Sequence, residues 1–255
     1  MVGYGESYIQ VWGGFVERFF MSRVVDDPDL RERVQVFEDR FHAGRVLAEM
    51  LREHVPLKNS ILLAVPAGGV PVGYEVSIRL SLQMDLIIVR KLQIPWDPEA
   101  GFGAISWDGE MVLNEELVRR LELTQNTIQK SAERAMESIR ARIKRFRKDK
   151  PMPNIRGKVA VLVDDGLASG YTMLAAARSV KKMEARRIVV AVPTASMNAI
   201  KLLSREVDLI ICPNIRSGPI FAVADAYRSW HDLTDEEVLA LLEKLHNQKS
   251  PSREI

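Results

Sequence analysis

The sequence predicts an α/β fold: a mostly parallel, five-stranded sheet with helices on both faces, elaborated by a β-hairpin. Three observations carry that expectation. Apolar runs at residues 61–65, 86–89, 159–163, 188–192 and 209–211 show no polar alternation, which is how strands buried on both faces read. Between them lie stretches whose apolar residues recur near helical spacing, so strand and helix alternate along the chain as they do in wound parallel sheets. The 255 residues, 47% apolar and 27% charged, suffice for one large domain or two small ones whose core needs no staple.

Residues 1–34 read as an accessory segment, because Tyr4, Tyr8, Trp12, Phe15, Phe19 and Phe20 precede the first sharp start signal. It is expected to pack on the body or on a second subunit. Asp27-Pro28 pairs an N-cap residue with proline at the first helical position, so a helix is expected from there, with Phe37, Phe41, Leu47, Met50 and Leu51 near helical spacing. The run at 61–65 stops at Pro66-Ala67-Gly68-Gly69, a strand feeding a tight turn. A short helix over 72–80 leads to the strand at 86–89, with Arg90-Lys91 at its end.

Two prolines, two glycines and Trp96 between 92 and 103 predict a loop long enough to suggest function or mobility. Asp108-Gly109 reads as a hairpin turn joining 103–106 to 111–113. Asn114 caps a helix running toward Phe146, with Ile128, Ala132, Ala135, Ile139 and Ile143 on one face. Its end is basic, eight Lys or Arg against two acids over 134–150, the pattern of a solvated helix end whose cations suit the C-terminal dipole. A helix near 197–203 separates the last two strands, Thr234-Asp-Glu-Glu237 is a capping box opening the final helix, and 246–255 read as a polar tail.

Thirty-six Lys plus Arg against thirty-four Asp plus Glu leave a formal charge of +2, so nucleic acid is not an expected partner. Cys212 is the single cysteine, which excludes an intrachain disulfide or a Cys-rich zinc site and makes the reducing cytoplasm the default compartment. The sequence lacks a membrane-span pattern. Residues 4–21 carry Glu6, Glu17 and Arg18 and lack the ordering of a signal peptide.

Ligands of open parallel sheets sit beyond the carboxyl ends of the strands, so the loops after the first three strands are expected to converge. The loop after Asp165 is rich in small residues and opens a helix, which aims free amides and the positive helix end at an anion. Ser169 and Thr172 add hydroxyl donors, completing a monophosphate cradle. Asp164 and Asp165 would repel the same phosphate, so they must face hydrogen-bond donors or a metal; a sugar with vicinal hydroxyls and a phosphate at its other end meets both demands. No Walker A motif appears, no Gly-x-Gly-x-x-Gly follows a strand, and 166–170 is one residue out of register for a nucleophile elbow. An aspartyl-phosphate enzyme using Asp164 or Asp165 as nucleophile stays open at this level.

Residues 161–173, Val-Leu-Val-Asp-Asp-Gly-Leu-Ala-Ser-Gly-Tyr-Thr-Met, resemble the phosphoribosyl-diphosphate motif of type I phosphoribosyltransferases. Phe-Glu-Asp-Arg at 37–40, Pro-Ala-Gly-Gly-Val-Pro-Val at 66–72, Val-Arg-Lys-Leu at 89–92, Phe-Gly-Ala-Ile at 102–105 and Thr-Asp-Glu-Glu-Val at 234–238 are similar to a prokaryotic branch of that family. The resemblance covers 35–245 and implies a Rossmann-like domain over that span, with a flexible hairpin loop and a small hood near 213–232. It implies that Asp164 and Asp165 hold the ribose hydroxyls and that Ala168, Ser169, Gly170, Tyr171 and Thr172 bind the 5-phosphate. Ala67, Gly68 and Gly69, with Arg90 and Lys91, would receive the diphosphate, and Lys91, Asp164 and Asp165 would form the catalytic set.

By the same resemblance, residues 92–103 close over the reacting centre, and Phe221 and Tyr227 in the hood face the base. Mg2+ is the implied cofactor, held by substrate and water without a dedicated protein ligand or through Asp164 or Asp165. The implied activity transfers phosphoribose from 5-phosphoribosyl 1-diphosphate to a nitrogen acceptor of nucleobase type, releasing diphosphate, in a homodimer. The alternative is a non-catalytic regulator that binds phosphoribosyl diphosphate or a nucleotide. The branch commonly carries arginine where Ala67 stands, so a cation for the diphosphate is absent from the loop itself.

Overall fold

The computed structural model describes residues 23–148 and 150–249. Its central sheet has six strands, all parallel, rather than the five expected. In chain order they are β1 (Arg23–Val25), β2 (Ser60–Ala64), β3 (Gln83–Leu86), β7 (Val159–Val163), β8 (Arg187–Ala191) and β10 (Leu209–Ile211), arranged β1-β10-β8-β7-β2-β3. The additional strand is β1, three residues inside the stretch read as accessory; it pairs with β10 at one sheet edge. The aromatic residues of that stretch lie outside the described residues.

The missing polar alternation has a direct cause. On β7, Ala160 and Leu162 join Met173 and Ala177 of α5 (Tyr171–Lys182) and Ala199 and Leu203 of α6 (Met197–Leu203). Val159, Val161 and Val163 face the other way, onto Leu47 and Leu51 of α1 (Arg40–His54) and Val72 and Val76 of α2 (Gly69–Leu80). Both faces are dry, so every position is apolar.

Local signals explain where the helices lie. No helix begins at Pro28, because the Asp27 side chain accepts from the Asp29 amide to close a turn and Glu32 and Gln35 take positive φ angles that a helix cannot continue. Helix α1 instead starts at Arg40, capped by Asp39, whose carboxylate accepts from the His42 amide at 2.7 Å. The helix expected over 115–146 is two: α3 (Glu115–Arg120), capped by Asn114, and α4 (Gln125–Arg147), capped by Thr124, with Glu122 at φ 51 between them. The Thr234 capping box opens α7 (Asp235–Lys249), which carries residues 246–249 of the expected tail into the helix.

Residues 92–103 are not a loop. β4 (Val89–Ile94), β5 (Asp97–Ser106) and β6 (Met111–Leu113) form a three-stranded antiparallel meander that leaves the main sheet after β3. The run at 86–89 is thus the end of one strand and the start of another. On the far side, β9 (Thr194–Ser196) pairs with β11 (Asn214–Arg216), and the chain from β11 through a 3-10 turn at Val223–Ala226 makes up the segment that the resemblance assigns to the hood. A bridge between Phe37 and Tyr227 ties the hood to the entry of α1. Among the described residues no helix is long and apolar enough to cross a membrane.

Candidate functional site

Adjacent strands β2 and β7 deliver their loops side by side. The Val65 amide donates to the Val163 carbonyl at 2.9 Å, after which the chains turn into Pro66–Gly69 and Asp164–Gly170. Contact there is so close that only glycine fits: a Cβ on Gly69 would lie 2.5 Å from the Val163 carbonyl oxygen, and one on Gly68 would lie 2.0 Å from Asp165 Oδ2. Both loops end in helix starts, α2 after Gly68 and α5 after Gly170, so two positive helix ends meet at one place.

The second loop turns directly into a helix start. Gly170 holds a positive φ of 82°, which turns the chain into α5. The first backbone bond within the helix start is Leu174 to the Gly170 carbonyl. The amides of residues 168–173 make no hydrogen bond among the described residues, as helix geometry requires of a first turn without a side-chain cap. Ala168 and Ser169 are exposed, Tyr171 and Thr172 half-buried. Ser196 donates its hydroxyl to the Ala168 carbonyl at 2.6 Å and steadies the turn from below.

The acid pair lies just before it. Asp164 Oδ1 accepts from the Asp165 amide at 2.9 Å, and Asp165 Oδ2 accepts from Arg40 Nε at 2.8 Å. Burial pushes the Asp164 carboxyl well above its usual range, and the charge of Asp165 adds to the push. Burial also raises Asp165, but the Arg40 guanidinium pulls against it. Arg40 is 7% exposed, donates from Nη1 to the His231 carbonyl at 2.9 Å, and lies 3.7 Å over the Trp230 ring. It therefore joins α1, the acid pair and the hood.

Sequence reasoning gave Arg40 no role, although a signal was present: it occupies the first position of a helix, where the dipole disfavours a cation, so a tertiary anion must compensate. Of the residues expected at the site, 67–69, 164–165 and 168–172 converge. Lys91 is exposed on β4 with its stem against Gly101, where a Cβ would meet Lys91 Cγ at 2.2 Å. Arg90, half-buried, faces Arg142 of α4 and Asp235 of α7, and burial together with the Arg142 charge lowers its pKa.

The hood aromatics part ways. Phe221 is half-buried beneath the Arg216 guanidinium, 4.9 Å from its ring centre. Tyr227 is 4% exposed, enclosed by Phe37 and Trp230, and donates its hydroxyl to the Asp165 carbonyl at 2.6 Å. A ring covered in this way cannot stack on a base; Tyr227 supports the acid loop instead. Cys212 is buried at the end of β10, and burial pushes its thiol far above the usual range, which makes it inert.

An open parallel sheet with paired helix starts, unpaired amides and an acid pair beside them offers a place for an anionic ligand beyond the carboxyl ends of the strands. Comparison with known proteins narrows the class. Residues 109–220 match the family profile of the phosphoribosyl transferase domain. Two Mycobacterium tuberculosis proteins, from strains CDC 1551 and H37Rv and provisionally named phosphoribosyl transferases, are each 35% identical over 213 residues, 84% of this chain and 48% of theirs. The chain thus spans about half the length of the curated relatives it matches. The crystal structure of TT1426 from Thermus thermophilus is 36% identical, with a TM-score of 0.67 over 82% of this chain and 98% of that one. The chain belongs to the phosphoribosyltransferase family.

Proposed function

We propose that this chain transfers the phosphoribosyl group of 5-phosphoribosyl 1-diphosphate to a nitrogen acceptor of nucleobase type. The observation that carries the reading is the row of unpaired amides at 168–173, opening a helix directly after a largely buried acid pair. An amide row with the helix end behind it receives the 5-phosphate, helped by the Ser169 and Thr172 hydroxyls. Asp164 and Asp165 accept hydrogen bonds from the ribose hydroxyls. The Ala67–Gly69 turn, at the start of α2, receives the diphosphate, with Arg90 and Lys91 from β4 of the meander.

In the reaction the bond from the anomeric carbon to diphosphate breaks, its electron pair leaves with diphosphate, and the acceptor nitrogen forms the new bond. The chain's task is to clamp both ends of the substrate and to meet the charge that develops on the leaving group. The donor set fits Mg2+, since Asp164 and Asp165 offer hard oxygens and the substrate's own oxygens and water complete such sites. A bound Mg2+ would neutralise diphosphate charge. The meander hairpin, growing from the same end of the sheet, excludes water, the competing nucleophile. Homodimerisation and a cytoplasmic location, both expected from the sequence, belong to the same proposal.

The test is turnover. Purified chain is mixed with phosphoribosyl diphosphate, Mg2+ and single purine, pyrimidine and amine acceptors, and diphosphate release is followed. Release that depends on one acceptor is the expected result. Tight binding without turnover by any acceptor would make the protein a sensor of the sugar phosphate, and no binding would overturn the reading.

A further inference from the structure

Helix α4 brings an arginine to the loop that the proposed reaction uses for diphosphate. Arg142 Nη1 lies 3.5 Å from the carbonyl oxygen of Pro66, the residue before the Ala67–Gly69 turn. Its Nη2 lies 3.2 Å from Asp235 Oδ1 at the start of α7, and its guanidinium rests 5.7 Å over the Phe146 ring one turn further along α4. Four-fifths of the side chain is out of solvent, at 20% exposed. Its position is therefore built by three neighbours, not adopted at random by a surface arginine.

The charge arrangement around it is lopsided. Asp235 is shared, because Arg145 Nε also approaches its Oδ2 at 3.5 Å. Arg90 is the third cation, near enough that the Arg142 charge and its own burial both work against its protonated form while Asp235 works for it. Glu236 serves Arg145 on the outer side. A tether between α4 and α7 would need one arginine and one acid. It would not gather Arg90 and Arg142 on the inner side, where each raises the electrostatic energy of the other in a partly desolvated setting. Like charges held together beside a loop of small residues are relieved by an anion, and residue 67, an alanine, contributes no cation of its own.

We propose that Arg142 is a substrate-binding residue, supplying with Arg90 the positive charge for a diphosphate group seated on the Ala67–Gly69 turn. Asp235 holds the guanidinium in place and competes for it until the anion arrives. The inference rests on the phosphoribosyltransferase reading and adds to it a residue from helix α4, in a basic stretch whose sequence reads as a solvated helix end.

Full-length protein, Arg142→Gln and Asp235→Asn are each titrated calorimetrically with inorganic diphosphate plus Mg2+ and, separately, with ribose 5-phosphate. Arg142→Gln is expected to weaken diphosphate about tenfold, the size of one charge-assisted contact, while leaving ribose 5-phosphate unchanged. Asp235→Asn removes the competing acid and is expected to tighten diphosphate several-fold. If both variants bind diphosphate as the parent does and only their melting temperatures fall, Arg142 is a tether and the proposal is wrong. Should Arg142→Gln lose both ligands through misfolding, Asp235→Asn decides, and unchanged diphosphate affinity there overturns the proposal. Failure of the parent protein to bind either ligand would instead overturn the phosphoribosyltransferase reading itself.

Discussion

Asp164 and Asp165 are chain neighbours whose carboxyls burial raises alike, but only Asp165 is bonded to a buried guanidinium that works against the rise. A carboxyl raised within the fold favours the folded state only while protonated; that contribution is complete below the ordinary carboxylate range and is lost as pH rises through the raised value. Asp164 is such a group, with burial and the Asp165 charge both against its ionised form. Asp164→Asn is therefore expected to raise the melting temperature at neutral pH, with a gain that shrinks toward about pH 4, while phosphoribosyl-diphosphate affinity falls about tenfold or more. Asp165 differs because it neutralises Arg40, a guanidinium only 7% exposed. Asp165→Asn strands that charge and is expected to cost about 3 kcal/mol, on the order of 10 °C. Melting curves of the two variants between pH 4 and 8 check the pair, and shifts of the same sign at neutral pH would refute the asymmetry. The acid pair itself was legible in the sequence, since two acids before a small-residue loop announce a site. Arg40 was not, because its partner lies 125 positions away and a lone arginine at a helix start carries no distance information.

Two loops from neighbouring strands can form one site only if their backbones almost touch, and the glycines at 68 and 69 permit this. The nearest atoms to a Cβ on Gly69 are backbone, the Val163 carbonyl and Asp164 Cα at 2.9 Å, so no rotamer change can make room. Gly69→Ala is expected to separate the loops, destabilise the fold by about 1–3 kcal/mol and abolish measurable diphosphate binding. Thermal unfolding and titration with Mg2+ diphosphate measure the two effects, and a variant that binds as the parent does would show that the loops need not touch. Element boundaries were legible wherever capping chemistry is local, as at Asn114 and in the Thr234 box. They were misread where pairing decides. β1 is three residues long, with Val24 37% exposed, and only its bonds to β10 make it a strand. The meander was hidden by Pro98, Gly101 and Gly103, which mark turns in isolation but here sit within β5, joined to β4 by irregular register.

Seen whole, the molecule gathers its candidate site residues at the carboxyl end of a parallel sheet. The inner strands β2, β7, β8 and β10 are buried, whereas the two most exposed large apolar side chains among the described residues lie elsewhere: Ile220 at 84% in the hood and Trp96 at 66% at the β4–β5 hairpin tip. Both segments grow from the end of the sheet that carries the acid pair and the amide cradle. This overall arrangement was readable from the sequence because buried parallel strands leave an unbroken apolar signature, while the hairpin's fold depends on cross-strand contacts that no short window reveals. An exposed tryptophan of this size forgoes roughly 2–3 kcal/mol of burial, which a closed state over substrate would recover. Binding of phosphoribosyl diphosphate with Mg2+ is thus expected to shift Trp96 emission to shorter wavelength. Trp107 and Trp230 lie half-buried and Trp12 outside the described residues, so the signal is assigned by comparison with Trp96→Phe, which should lose it while binding the ligand. The same variant should release more ribose 5-phosphate and diphosphate by hydrolysis when acceptor is withheld, because water then reaches the activated sugar. If the parent's emission is unchanged at saturating ligand, the hairpin is a fixed wall, and shielding of the reaction must come from the hood alone.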